Sequence, residues 1–194
     1  MMESSRLKAF SDGVLAILIT IMVLELRPPD VSSWQGLADL IPTLLSYMLS
    51  YLYIGIYWNN HHHMLQACRR VTGGVLLANL HLLFWLSLLP FATAWLGKSH
   101  EYQLPNVFYG FILLAAAFAY YILQQVIIVA DGPGSILRQA VGKDWKGKLS
   151  LFLYALAIGL SMVSVIPAQV LYAAVALLWL VPDRRIERSL REEV

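Results

Sequence analysis

Polar and ionisable side chains in the first half of this chain lie inside apolar segments, where they could carry chemistry. Arg6, Ser11 and Asp12 stand at the start of one long apolar run, and three successive histidines, His61 to His63, stand near the end of the next. Such groups cost free energy in hydrocarbon, so they are expected to face other protein segments or water. Asp12 is therefore either a functional acid or a residue that packs and anchors its helix.

The three histidines do not form a plausible metal site. Adjacent residues of a helix point about 100° apart, so His61, His62 and His63 cannot all bind one ion. Cys68 is the single cysteine and offers no thiolate cluster. The sequence therefore predicts no metal cofactor. It predicts no catalytic residues either, because no nucleophile is paired with a base. A membrane enzyme or metal-binding protein would depend on these histidines alone.

The spacing of Trp58 and His62 instead places an indole N–H and an imidazole on one helical face, suited to bonding polar groups of the preceding segment. Asn79 and His81 lie at a similar depth in the next segment. Together these side chains predict a hydrogen-bonded network that supports the first three segments. Its predicted members are Arg6, Ser11, Asp12, Trp58, His62, Asn79 and His81.

The composition explains where such a network would sit. Of the 194 residues, 59% are hydrophobic and only 13% are charged, which is more apolar surface than a soluble core of this size needs. We therefore expect the chain to fold in a lipid bilayer. The formal charge of +2, without a basic patch, does not favour a nucleic-acid partner.

Apolar runs of spanning length predict an all-α, polytopic membrane protein. Pro90 is expected to kink the third span near its outer third. Pro167 is expected to divide the last apolar stretch into two short helices. The predicted spans are 7–26, 40–66, 75–97, 105–130 and the two parts of 149–181.

The distribution of basic residues predicts the orientation. Twelve of the 14 lysines and arginines fall on one side of this arrangement, with only Arg27 and Lys98 on the other. Basic residues are retained on the cytoplasmic side, so both termini are predicted to be cytoplasmic and the number of transmembrane helices to be six. One six-helix channel domain is expected at 1–182, followed by a charged cytoplasmic tail at 183–194.

The first helix carries an apolar stripe that does not include Asp12. Residues seven apart on a helix nearly superpose, whereas Asp12 points roughly 140° away from Ile17. In a symmetric oligomer such a stripe could form narrow apolar rings that gate by dewetting; ordinary helix packing is the alternative. The stripe contains Phe10, Ile17 and Leu24, with Ile21 beside it and Thr20 on its other flank.

The motif Arg-x-x-x-Phe-Ser-Asp at 6–12 resembles the signature of the transmembrane protein 175 family, whose lysosomal member is a potassium channel. The similarity extends over roughly the first half of the chain, and the second half matches only in hydropathy and helix number. The other matching positions are 13–17, Thr20, 24–26, Trp58, His61, His62, Asn79 and 89–93.

This resemblance implies a function and an assembly. Prokaryotic members carry one six-helix unit per chain and form tetramers, so it implies a homotetramer in a prokaryotic plasma membrane. The matching pore constrictions are Ile17, Ile21 and Leu24, and Thr20 matches a position linked to potassium preference through its hydroxyl. The resemblance also makes the polar set around Asp12 a support for the first helix.

We therefore expect passive conduction of K⁺, with no cofactor and with other monovalent cations or protons as possible permeant ions. The chain lacks a Thr-Val-Gly-Tyr-Gly filter, so its selectivity should be modest. A proton-coupled secondary transporter is the alternative, because Asp12 and His62 could titrate within the membrane. Proton permeation through the same channel is also open.

Overall fold

The computed structural model describes residues 4–142 and 144–180, and the elements found there are all helical. The predicted all-α class is confirmed, whereas the tail predicted at 183–194 lies outside the described residues. A 3-10 turn at Gly132–Gly134 follows the helix that ends at Asp131. The α-helices are α1 Ser4–Leu24, α2 Trp34–Asp39, α3 Ile41–Gln66, α4 Gly73–Ser87, α5 Leu89–Lys98, α6 Gln103–Asp131, α7 Ile136–Val141, α8 Trp145–Ser161 and α9 Val165–Leu180.

Several of these helices begin at a side chain that caps them. Ser33, Thr72, Ser135 and Asp144 each accept a hydrogen bond from a backbone N–H in the first turn of α2, α4, α7 and α8, respectively. Such caps satisfy N–H groups that have no partner inside the helix. The short helices α2 and α7 were not predicted, because six residues are too few for an apolar period to stand out.

The two prolines act differently from one another. Pro90 does more than kink its helix: α4 ends at Ser87 and α5 begins at Leu89, with Pro90 in its first turn. Pro167 was predicted to divide the last two helices, and this prediction is wrong. The break lies at 162–164, and Pro167 stands inside the first turn of α9, where its missing N–H costs no hydrogen bond.

Four segments are long and apolar enough to cross a membrane by length and composition: Ser5–Leu24, Trp34–Gln66, Gly73–Lys98 and Gln103–Gly134. The helix Val165–Leu180 is apolar but shorter, about 24 Å at 1.5 Å per residue. The chain is thus a multi-pass membrane protein, while its six spans and the cytoplasmic position of its termini stay predictions.

Contacts between loops gather at the two ends of the bundle. At one end, the Asp131 carboxylate accepts backbone N–H bonds from Arg69 and Arg70 at 2.9–3.3 Å, joining the end of α6 to the α3–α4 loop. At the other end, Asn106 and Gln169 donate to the carbonyl oxygen of His100 at 2.8 and 2.9 Å. Helices α3 and α6 therefore end on the same side of the bundle.

Packing places α6 inside the bundle and α1 at its edge. α6 contacts α4, α5, α8 and α9, whereas α1 contacts α3, α4 and α5. Small residues let α6 approach its neighbours closely: a Cβ added at Gly110 would lie 2.8 Å from Cζ of Tyr172 on α9 and 2.9 Å from Cγ1 of Ile158 on α8. This arrangement leaves one face of α1 uncovered within the protomer.

The close contact at Gly110 yields a prediction about stability. We expect Gly110→Ala to lower the free energy of unfolding by about 1–3 kcal/mol, because Tyr172 is fully buried and its hydroxyl is fixed by donating to the carbonyl oxygen of Asn106 at 3.0 Å. The better helix propensity of Ala, worth about 1 kcal/mol, offsets only part of that cost. Thermal unfolding of the purified protein in detergent measures the difference.

Gly159→Ala is the matched control, since no atom lies within 4 Å of a Cβ placed at Gly159. That variant should be as stable as the wild type or slightly more stable. Equal losses of stability in both variants would contradict the packing argument.

Candidate functional site

The apolar stripe of α1 is exposed. The side chains of Ile17, Ile21 and Leu24 are 57%, 42% and 76% exposed, respectively. The opposite face of α1 is buried at spacings of three and four residues, through Leu7, Ser11, Leu15, Leu18 and Met22. The helix is thus fixed to the bundle by one face while the other, with the stripe, is free to contact lipid, water or another subunit.

Thr20 lies on this exposed face. Its hydroxyl donates to the carbonyl oxygen of Ile17 at 2.8 Å, a common arrangement for threonine in a helix. The donor is therefore used within α1, while the hydroxyl oxygen keeps its lone pairs, one of the few polar atoms on this face. An ion passing along α1 could be contacted by this oxygen.

A buried chain of hydrogen bonds fixes the N-terminal half of α1 to α4 and α3. Nδ2 of Asn79 donates to Oγ of Ser11 at 3.0 Å, and Oδ1 of Asn79 lies 2.7 Å from Nε2 of His61. The three side chains are at most 1% exposed. In low dielectric such a satisfied network fixes one helix arrangement, because breaking it leaves polar groups unpaired.

The network determines the tautomer of His61. Since the Asn79 amide nitrogen donates to Ser11, its oxygen is the acceptor, and Nε2 of His61 must carry the proton. Nδ1 of His61 is then an unprotonated acceptor, and it is buried with no hydrogen-bond partner among the described residues. The neutral imidazole is the form that this geometry accommodates.

A second link joins α1 to α3 nearer the surface. Nε1 of Trp58 donates to Oδ1 of Asp12 at 3.0 Å. His62 packs against Trp58 with ring centroids 6.1 Å apart, and its Nε2 lies 2.9 Å from Nε2 of Gln66 on the same helix. His62 therefore contacts Trp58 and Gln66, and the histidine that reaches α4 is His61.

The other two predicted network residues lie apart from these links. Arg6 is exposed in the first turn of α1. His81 accepts a hydrogen bond from Nε1 of Trp85 at 2.9 Å, and Trp85 packs against Phe111 of α6. Residues two positions apart in a helix point about 200° apart around its axis, so His81 cannot share the face of Asn79. The structure thus brings together Ser11 with Asn79 and Asp12 with Trp58, and leaves Arg6 and His81 outside.

A sequence signal for His61 was available. His61 continues the buried positions of α3, which recur at helical spacing at Ile54, Tyr57, Met64 and Leu65. A histidine inside such a stripe must face the core, where it needs a polar partner. This periodicity distinguishes it from His62 and His63, which are only partly buried.

The described residues contain no group of three or more histidine, cysteine or acidic side chains that could hold a metal ion. That no cofactor is needed stays a prediction. The arrangement around α1 consists of an exposed apolar face, one hydroxyl and a polar anchor behind them.

The chain is similar in sequence to proteins that are named as ion channels. A sequence profile described as "Endosomal/lysosomal potassium channel TMEM175" matches residues 6–90. A Chryseobacterium protein named as a potassium channel is 52% identical over 191 residues, which cover 98% of this chain and all of that protein. A zebrafish protein named "Endosomal/lysosomal proton channel TMEM175" is 26% identical over 135 residues. The match covers 67% of this chain and 25% of that protein.

The fold is also similar to that of a solved structure. The crystal structure described as a lysosomal potassium-selective channel TMEM175 homologue from Chamaesiphon minutus superposes with a TM-score of 0.83. The two sequences are 27% identical, and the match covers 93% of this chain and 97% of the other. The structural similarity is therefore not limited to the first five helices and includes the second half of the chain.

Proposed function

Because the chain belongs to the TMEM175 channel family, we propose that it is a potassium channel, with a pore lined by α1 of each subunit. Its relatives are ion channels rather than enzymes. The ion moves passively down its electrochemical gradient. Ile17, Ile21 and Leu24 form successive apolar rings that constrict the pore.

One observation carries this proposal: α1 stands at the edge of the protomer with the stripe exposed and the opposite face anchored. A pore helix needs both properties, because the ion path must be open on one side while the wall must be rigid on the other. The links from Ser11 to Asn79 and from Asp12 to Trp58 supply that rigidity.

Selectivity in this proposal is modest and depends on Thr20. Apolar rings offer no oxygen ligands to replace the water around an ion, so discrimination comes from pore width and from the single hydroxyl. Thr20→Val keeps the shape of the side chain and removes the oxygen that an ion would contact.

The proposed assembly is a homotetramer in the plasma membrane of a prokaryote. Each protomer exposes its stripe on one side only, so a closed path for ions requires several copies around a common axis. Cyclic symmetry then places the stripe of every copy toward that axis.

Flux through liposomes tests the function directly. With the purified protein reconstituted under a K⁺ gradient, we expect K⁺ efflux above that of protein-free liposomes, smaller Na⁺ flux, and currents with single-channel steps. Oligomers that retain their size in detergent but pass neither ion under varied pH and voltage would contradict the proposal.

The name of the zebrafish relative favours protons as a second permeant ion. The same liposomes distinguish three cases when a pH gradient is applied. Proton current without K⁺ dependence indicates a proton-permeable channel, whereas saturable flux that requires both ions together indicates a proton-coupled transporter. K⁺ current that is unaffected by the pH gradient supports the potassium channel alone.

A further inference from the structure

A cavity lies inside the protomer, away from the stripe of α1. It is lined by residues of α3, α6, α8 and α9 and by Asp144, and none of its lining residues comes from α1. Its volume is about 50 Å³, on a scale where one water needs roughly 10–15 Å³. The cavity therefore has room for a group of about three to five heavy atoms.

Six of the 13 residues that line the cavity are aromatic. Tyr57 and Tyr120 meet edge to face with their centroids 6.1 Å apart, Tyr53 and Tyr154 lie 6.3 Å apart, and Trp179 closes the side formed by α9. Aromatic faces attract cations and also accept apolar groups. The side-chain ammonium of Lys146 lies over the Trp179 ring, 5.9 Å from its centroid, which is within the distance of a cation–π contact.

Asp144 is the single charged residue among the lining residues. Its carboxylate accepts hydrogen bonds from the backbone N–H of Gly147 and from Nε2 of Gln124, both at 3.2 Å. An ionised carboxylate has about four acceptor sites and donates nothing. A molecule that binds beside Asp144 must therefore bring a donor, and a positively charged donor is favoured.

From this combination we propose that the cavity binds a short alkylammonium ion, with its alkyl chain along the aromatic wall and its ammonium group at Asp144. Asp144 is the residue that caps the start of α8. The ammonium group thus sits at the end of the helix, while the alkyl chain points into the bundle.

n-Butylammonium is a suitable probe, because its four carbons and one nitrogen match the cavity volume. Its binding to the purified protein in detergent is measured by ligand-observed NMR, and association with the detergent cancels when wild type and variants are compared. n-Butanol and butyrate serve as neutral and anionic probes of equal chain length. We expect saturable binding of n-butylammonium, weaker binding of butanol and no binding of butyrate.

Two variants test the location. Asp144→Asn removes the charge but keeps a residue that caps α8, and it should weaken binding roughly tenfold or more. Ala117→Leu fills the cavity from α6 without changing a polar group and should abolish binding. Ala115→Leu is the control on the same helix, outside the cavity lining, and should bind like the wild type.

Equal binding of butanol and n-butylammonium, or full binding by Ala117→Leu, would overturn the proposal. Retained binding in the pore variant Ile17→Asn supports a site separate from the stripe of α1, and loss of binding there contradicts it. Since α3 supplies both the cavity wall and the contacts to α1, we expect occupancy to alter K⁺ flux. That expectation rests on the proposed function, whereas the binding measurement does not.

Discussion

Replacing Ile17 with Asn should raise cation flux roughly five- to thirtyfold and reduce the preference for K⁺ over Na⁺. An apolar ring makes an ion shed or rearrange its water without offering a ligand in return. Amide groups at the same level can contact the ion or its water and lower that barrier by about 1–2 kcal/mol, which corresponds to the stated rise in rate. Liposome flux assays and single-channel recordings of both proteins measure the effect.

Val170→Asn is a matched control for this experiment. Val170 is an apolar residue of α9 whose side chain is 61% exposed, similar to the 57% of Ile17. If its exposed face contacts lipid, the new amide changes insertion or stability but not the ion path. Unchanged permeation in Ile17→Asn, or the same change in Val170→Asn, would remove Ile17 from the pore.

Much of the helical architecture could be predicted from the sequence. Apolar runs of spanning length predicted α1, α3 and α6 to within a few residues at each end. They do so because every backbone polar group in lipid must be hydrogen-bonded within a helix. The division of 149–181 into two helices is confirmed as well, although Pro167 was wrongly chosen as the boundary. A proline interrupts a helix only beyond its first turn, and the sequence does not show where that turn begins.

Periodicity also grouped Ile17, Ile21 and Leu24 on one face of α1, and the structure shows that this face is exposed. The partners of polar residues were less predictable, because spacing along one helix does not say which neighbour each face meets. Asn79 and His81 were grouped because they lie at a similar depth. In the structure, however, Asn79 bonds to Ser11 of α1 and His61 of α3, whereas His81 bonds to Trp85 of its own helix. The cavity between α3, α6, α8 and α9 depends on four separate segments and has no local signature.

The buried link at Asn79 leads to a second large expected effect. Asn79→Ala should lower the free energy of unfolding by about 1–3 kcal/mol, because it leaves Ser11 and His61 buried without their partner. Hydrogen bonds between membrane helices average only about 0.6 kcal/mol, with a maximum near 1.7, so the larger figure requires that both unpaired groups remain dry. Unfolding in detergent measures the loss, and K⁺ flux should fall with it as α1 loses its anchor.

A double-mutant cycle separates the link itself from general damage to the bundle. Ser11→Ala and Asn79→Ala combined should cost less than the sum of the single changes, since the double variant no longer strands the Ser11 hydroxyl. Ser87→Ala is the control, because that exposed hydroxyl donates only to the carbonyl oxygen of Phe84 in its own helix at 2.7 Å. Additive losses of stability would mean that Ser11 and Asn79 act independently. The rigidity of α1 would then have to come from Trp58 and Asp12, whose partly exposed bond is the weaker of the two anchors by the same reasoning.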